Sequence, residues 1–120
     1  MTVRTFRDLV AWQKGMELVR AIYRLTRHWP PEEAYGLTSQ IRRAAVSIPS
    51  NIAEGHGRRA DRELARLLGI AHGSLMEVET QLEIAFDLGY IPQAELDKLL
   101  ALAGEVGRTV FGLIRKASSS

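Results

Sequence analysis

The sequence predicts an all-α chain, folded as an antiparallel up-down-up-down four-helix bundle. Apolar residues recur at steps of three and four along its length, and no stretch alternates apolar and polar residues long enough to mark a strand. The four prolines are confined to Pro30, Pro31, Pro49 and Pro92, and with the glycines they divide the chain into helical segments at about 6–28, 37–54, 61–88 and 93–116. Segments of about 18 to 28 residues exceed the ~11 to 12 of an average globular helix and are typical of bundles. The longest connection is only about eight residues, which favours sequential antiparallel neighbours over crossovers. Residues 1–120 are read as one domain, long enough to close a single core without metals or cross-links.

In the first helix Leu9, Trp12, Met16, Val19 and Tyr23 form the expected bundle seam, and Leu18, Ile22 and Leu25 widen the apolar face. That width predicts contact with another chain. Thr5 and Asp8 have capping-box spacing, and Trp29-Pro30-Pro31 ends the helix. The second helix offers Leu37, Ile41, Ala44, Ala45, Ile48 and Ile52 as its core face, with Gly55 and Gly57 as the stop. Pro49 lies inside it, where the ring removes one hydrogen bond and predicts a kink that either opens a site or wraps the helix around its neighbours. Asp61 is the expected cap of the third helix, whose core reads Leu64, Leu68, Ala71, Leu75, Val78, Leu82 and Ala85; Gly69 and Gly73 are expected at a close helix contact. Gly89 followed by Tyr90 and Ile91 predicts a glycine-terminated end. Pro92 opens the fourth helix, with Leu96, Leu99, Ala103, Val106, Val110 and Leu113 toward the core and a frayed Ser118-Ser119-Ser120 tail.

Composition excludes several classes of function. There is no cysteine, hence no disulfide, thiolate metal site or cysteine nucleophile. The first residues lack the apolar core of a signal peptide, and no run approaches the roughly 20 apolar residues that span a bilayer, so a cytoplasmic protein without membrane contact is expected. A di-iron bundle needs Glu-x-x-His, yet Leu25, Ala53 and Gly69 stand three residues before His28, His56 and His72. Phosphate-loop, dinucleotide and nucleophile-elbow motifs are absent. The expectation is a non-enzymatic protein with no catalytic residue, metal or cofactor.

Charge is unevenly spread. Met1 to Trp29 carry six basic residues against two acidic ones, whereas Ala60 to Tyr90 carry two basic against six acidic. Arg20, Arg24 and Arg27 share one helix face and form a candidate phosphate-binding stripe for nucleic acid, set against an ordinary solvated face or a surface paired with the acidic third helix. In the second helix Gln40, Arg43, Ser47, Ser50 and Glu54 form a polar stripe, matched in the third by Ser74, Glu77 and Gln81. These residues are expected to form a structural hydrogen-bond network with Arg43 paired to Glu77, because buried charges persist only when paired. The other reading is a ligand-binding groove.

The run GLTSQIRRAAVSIPSNIAEGHGR, Gly36 to Arg58, resembles the hallmark of the bacterial four-helix bundle proteins related to those encoded in intervening sequences of large-subunit ribosomal RNA genes. Phe6-Arg7-Asp8-Leu9 with Trp12-Gln13-Lys14, Gly73-Ser74-Leu75 with Glu77, Glu79, Thr80, Gln81 and Leu82, and Leu88-Gly89-Tyr90-Ile91 extend the likeness over nearly the whole chain. Pro92 departs from the pattern, where a serine or similar cap is commoner. The family is similar to the accessory protein of diversity-generating retroelements. The resemblance implies a ring-shaped homopentamer whose basic surface meets RNA, DNA or a reverse transcriptase, with no catalytic residues to carry over. A structural or protein-interaction module without nucleic-acid binding is the alternative.

Overall fold

The computed structural model describes residues 2–58 and 60–118, so Ser119 and Ser120 of the expected frayed tail lie outside the described residues. It contains α1 (Val10–Thr26), α2 (Leu37–His56), α3 (Asp61–Asp87) and α4 (Gln93–Ser118), with single 3-10 turns at Phe6–Asp8 and Pro31–Glu33. The described residues contain no strand. At about 1.5 Å per residue the 27 residues of α3 account for most of the 45 Å long axis.

Each helix packs on its neighbours in sequence, and the ring closes between α4 and α1. Contacts along each seam run in opposite senses, which makes all four antiparallel. Gly15 faces Ile48 and Pro49 while Thr26 bonds Arg42; Ser47 meets Ser74 while Gln40 meets Gln81. Gly107 faces Leu75 while His72 approaches Phe111, and Lys14 meets Glu105 while Trp29 packs on Tyr90. The core is aliphatic: Leu18, Ile22, Ile41, Ile48, Ile52, Leu68, Leu75, Val78, Leu82, Val106 and Val110 are fully buried, each contributing about 1.5 to 3 kcal/mol of transfer free energy.

The expected core faces of α2, α3 and α4 are buried except Leu64 and Leu113, which are half-buried at the bundle ends. The expected face of α1 is displaced by one residue. Ala11, Gly15, Leu18, Ile22 and Thr26 point inward, whereas Trp12, Met16 and Val19 are half-buried and Tyr23 is exposed. The cause is close packing: a Cβ on Gly15 would stand 3.6 Å from the Pro49 ring, so small residues bring α1 onto α2 and turn the bulky ones outward. Pro49 is buried inside an uninterrupted α2 and serves this packing.

Three helix ends differ from expectation, and so do two glycines inside α3. The Thr5–Asp8 capping box forms, but it closes a 3-10 turn; Leu9 is extended, and α1 starts only at Val10. Backbone N–H groups of Arg4 and Thr5 hold the Asp8 carboxyl below its ordinary value. Gly55 sits within α2 against Leu64, and Gly57 closes the helix with φ −77°, so neither supplies a left-handed stop. Asp61 is the first helical residue of α3, and Ala60 holds the cap position. Gly69 and Gly73 face open space, and the close contacts occur at Gly15, Gly55 and Gly107 instead. At the other end of α3 the glycine stop is as expected: Gly89 has φ +80°, Tyr90 N–H bonds Ala85 O at 2.9 Å and Gly89 N–H bonds Phe86 O at 3.0 Å, a Schellman closure.

Candidate nucleic-acid interface and polar cleft

Two seams carry the charged and polar residues singled out in the sequence. The α1–α4 seam opens into a groove of about 780 Å³ lined by Lys14, Glu17, Arg20, Arg24, His28, Glu95, Lys98 and Glu105, with Ala21, Leu25, Leu99 and Leu102 between them. Antiparallel register brings Lys14 against Glu105 at 3.0 Å, with Glu17 at 3.7 Å, and this pairing holds the Lys14 ammonium above its ordinary value. That end of the groove is neutralised within the chain. At the other end Arg20, Arg24 and Lys98 extend from both walls and make no ion pair or hydrogen bond. Arg27 is exposed beyond the helix, outside the groove.

Spacing along a single helix does not identify Lys98 and His28 as groove residues. Lys98 neighbours the core residue Leu99, and only the antiparallel register of α1 and α4, marked by the Lys14–Glu105 pair, brings it into one groove with Arg20 and Arg24.

The α2–α3 seam contains a smaller cleft of about 320 Å³, lined by Gln40, Arg43, Ala44, Ser47, Ser74, Glu77 and Gln81. Its floor is hydrogen-bonded: Ser47 and Ser74 hydroxyls lie 2.8 Å apart, and Asn51 Nδ2 donates to the carbonyl and hydroxyl of Ser47 at 2.8 and 2.9 Å. Gln81 Nε2 reaches Gln40 Oε1 at 3.5 Å, the outer limit of such a bond. The expected Arg43–Glu77 pair does not form, because both side chains stand exposed at the rims, where hydration competes with a contact worth about 0 to 1 kcal/mol. Glu54 leaves the expected network to pair with Arg58 at 2.9 Å, and Ser50 bonds the Val46 carbonyl of its own helix. The structure thus unites Gln40, Arg43, Ser47, Glu77 and Gln81 in one cleft and sets Glu54 apart.

Arg42 and Arg43 are adjacent but have different surroundings. Arg42 Nε donates to Thr26 Oγ1 at 2.8 Å, and its guanidinium lies 4.5 Å from the Tyr23 ring centre, fastening α2 to α1. Arg43 points away from that contact.

Among the described residues, no three His, Asp or Glu side chains gather as a metal-binding group, and no helix is long and apolar enough to cross a membrane. Fold and seams together define an antiparallel four-helix bundle with charged surface grooves. The chain belongs to the family of 23S rRNA-intervening sequence proteins, whose model matches residues 7–112. It is similar in fold to a crystal structure from Bacteroides thetaiotaomicron described as a protein with unknown function from the S23 ribosomal protein family. That likeness has a TM-score of 0.81 and 23% identity, over 88% of this chain and 98% of that one. No functionally curated protein matches the chain.

Proposed function

We propose that this protein is a non-enzymatic, cytoplasmic homo-oligomer that binds nucleic acid, or a nucleic-acid-processing partner such as a reverse transcriptase, through the α1–α4 groove. The observation that carries the reading is the set of unpaired cations Arg20, Arg24 and Lys98 in one open groove. Such side chains neutralise phosphates and release counterions, and an irregular basic groove contacts the backbone without reading bases. A pentamer, favoured by the family resemblance, repeats the groove around a ring and multiplies weak contacts through effective concentration. Exposed apolar side chains on α1 and α3, including Val10, Tyr23, Ile70, Met76 and Ile84, support self-association. Light scattering at micromolar concentration checks the oligomer, and a stable monomer contradicts it.

The binding test uses fluorescence anisotropy with RNA and DNA of mixed sequence at several salt concentrations. Replacing Arg20, Arg24 and Lys98 together by Gln breaks no internal ion pair or side-chain hydrogen bond and removes three charges. Affinity is expected to drop at low salt, and the slope of log affinity against log salt to shrink by about 0.7 to 0.9 for each phosphate that the variant no longer neutralises. Changing Arg27→Gln alone is expected to have the smaller effect. Equal binding by parent and triple variant excludes the groove. A protein-interaction module without nucleic-acid binding is the second reading, favoured by Glu17, Glu95 and Glu105 in the same groove, since a surface of both signs suits a protein partner. Binding of neither RNA nor DNA at low salt supports it.

A further inference from the structure

The α3–α4 seam opens on its outer side into a further cavity of about 480 Å³, whose lining includes His72, Gly104, Arg108, Phe111, Gly112 and Arg115. No carboxylate lines it, whereas Glu17, Glu95 and Glu105 stand in the α1–α4 groove and Glu77 in the α2–α3 cleft. Arg108 and Arg115 are exposed and make no ion pair or hydrogen bond. An anion therefore enters this cavity without meeting a like charge on its walls.

Its other component is an aromatic surface. Phe111 is 50% exposed, and its ring approaches the His72 ring across the seam, with centroids 6.3 Å apart and planes at 55°. That contact restrains the Phe111 ring without covering it. Arg108, Phe111 and Arg115 follow at steps of three and four on one face of α4, each about one helical turn from the next. Helical side chains lean toward the N-terminus of their helix, and Arg108 does so: its Nη1 lies 3.4 Å from where a Cβ on Gly104 would stand. The ring is thus set between two guanidiniums. A Cβ on Gly112 would meet nothing within 4 Å, so the space beside the ring is open.

A plain anion uses the arginines and leaves the ring wet, and an apolar group uses the ring and leaves both cations unanswered. A nucleotide uses both, since its base presents a π face and its phosphate stands one sugar away. Guanidinium groups match phosphate oxygens two at a time, and stacking on an exposed aromatic ring requires no particular base. We infer that the α3–α4 cavity binds one nucleotide, with the base stacked on Phe111 and the phosphate held by Arg108 or Arg115. A free nucleotide and an unpaired nucleotide in a strand present this same chemistry. A base inside a duplex does not, because neighbouring bases cover both its faces. The site shares no lining residue with the α1–α4 groove and stands whether or not that groove binds nucleic acid.

The test is a titration of the ¹⁵N-labelled full chain by two-dimensional NMR at constant ionic strength. The probes are adenosine monophosphate, adenosine, ribose phosphate, phenyl phosphate and inorganic phosphate. Adenosine monophosphate is expected to shift the backbone amides of His72, Phe111 and Gly112 saturably, with a dissociation constant on the order of millimolar, as suits a small ligand at an open site. Every other probe is expected to bind more weakly. Phe111→Leu keeps an apolar side chain at this exposed position and is expected to weaken the nucleotide about fivefold or more while leaving ribose phosphate unchanged. Arg108→Gln combined with Arg115→Gln is expected to weaken it about tenfold or more, down to the level of adenosine. The two sources are separated in the chain carrying Gln at positions 20, 24 and 98, where the other groove no longer competes. A short unstructured single strand that moves the same amides at lower concentration than adenosine monophosphate assigns the site to a strand, and one that binds no better assigns it to the free nucleotide; both uphold the inference. Equal shifts from the same strand paired with its complement would overturn it. No saturable shift with adenosine monophosphate, as in an assembly that covers Phe111, would overturn it too. So would ribose phosphate, inorganic phosphate, phenyl phosphate or adenosine bound as tightly as the nucleotide, since each lacks a part that the site is inferred to hold.

Discussion

The α2–α3 and α1–α4 seams are both antiparallel pairings of long helices, yet they are filled differently. Along α2–α3, Ile41, Ala45, Ile48 and Ile52 meet Leu68, Ala71, Leu75, Val78 and Leu82, all fully buried, and polar residues are confined to one narrow cleft. Along α1–α4, Leu25 and Leu102 are only half-buried, and a groove more than twice the volume of the α2–α3 cleft runs between charged walls. Full burial is therefore the rule along α2–α3, while the larger group of charged side chains lines α1–α4. A loosely packed seam lets charged side chains stand at a helix contact without having to satisfy the core.

The strongest way to break the comparison is to open a cavity in each seam. Leu75→Ala removes a fully buried side chain that touches the Gly107 position of α4 as well as the α2 face, and it is expected to cost about 2 to 5 kcal/mol. Leu25→Ala at the half-buried α1–α4 seam is expected to cost about 1 kcal/mol, because part of its surface is already hydrated and the groove can relax. Urea denaturation of the two variants measures the difference. Similar destabilisation by both would show that the α1–α4 seam carries as much of the core as α2–α3.

The same contrast explains what can be read from the sequence. The inward faces of α2, α3 and α4 are marked by large aliphatic residues at helical spacing, and these are legible because size and burial coincide there. On α1 they do not coincide: Ala11, Gly15 and Thr26 face the core, and Trp12 and Met16 line its edge with Val46, Pro49 and Ala53. A pattern weighted by hydrophobicity follows the larger residues and misses that Gly15 marks a close approach to Pro49. Arg20 and Arg24 are visible as a stripe, but Lys98 joins them only through helix register, which one helix's sequence does not contain. The polar cleft is legible in its membership but not in its chemistry. Spacing puts Arg43 and Glu77 on facing stripes, while whether they pair depends on how far each side chain extends into solvent.

A smaller effect is expected where the loops at one end of the bundle are tied together. The Glu33 carboxylate accepts from Tyr90 Oη at 2.7 Å and from Leu37 N–H at 3.1 Å, joining the start of α2 to the turn between α3 and α4. The Tyr90 hydrogen bond, then the Leu37 one, holds the Glu33 carboxyl below its ordinary 4.5, and the carboxylate raises the Tyr90 phenol above its ordinary 10.0. Because the folded Glu33 value is the lower one, its stabilisation is fully present above the unfolded value and is lost as pH falls through the folded one. The Tyr90 contribution is fully present below its unfolded value and is lost as pH rises through the raised one. Tyr90→Phe is thus expected to lower the melting temperature near neutral pH, with the gap to the parent closing in acid once Glu33 is protonated. A gap that stays constant through the acid range would assign the effect to ring packing against Trp29 instead.

The smallest expected effect is the sharpest test of how the α2–α3 seam divides its work. Arg43 lies beside the most tightly packed helix pair, one residue from the buried Ala44, and a buried partner of Glu77 at this position would cost about 3 to 5 kcal/mol to remove. The side chain is instead exposed and bonded to nothing, so Arg43→Ala removes no ion pair and leaves no carboxylate stranded in a dry site. Alanine also keeps the helix propensity of the position. Stability is expected to stay within about 0.5 kcal/mol of the parent, the range of ordinary surface substitutions. The neighbouring Arg42→Ala is the control. It removes the bond to Thr26 Oγ1 and the stacking on the Tyr23 ring, so it is expected to destabilise clearly more in the same denaturation experiment. If Arg43→Ala proves as costly as Arg42→Ala, Arg43 is part of the framework and the cleft loses its free cation. If only Arg42→Ala is costly, one of two adjacent arginines holds α2 to α1 and the other is left available at the rim of the cleft.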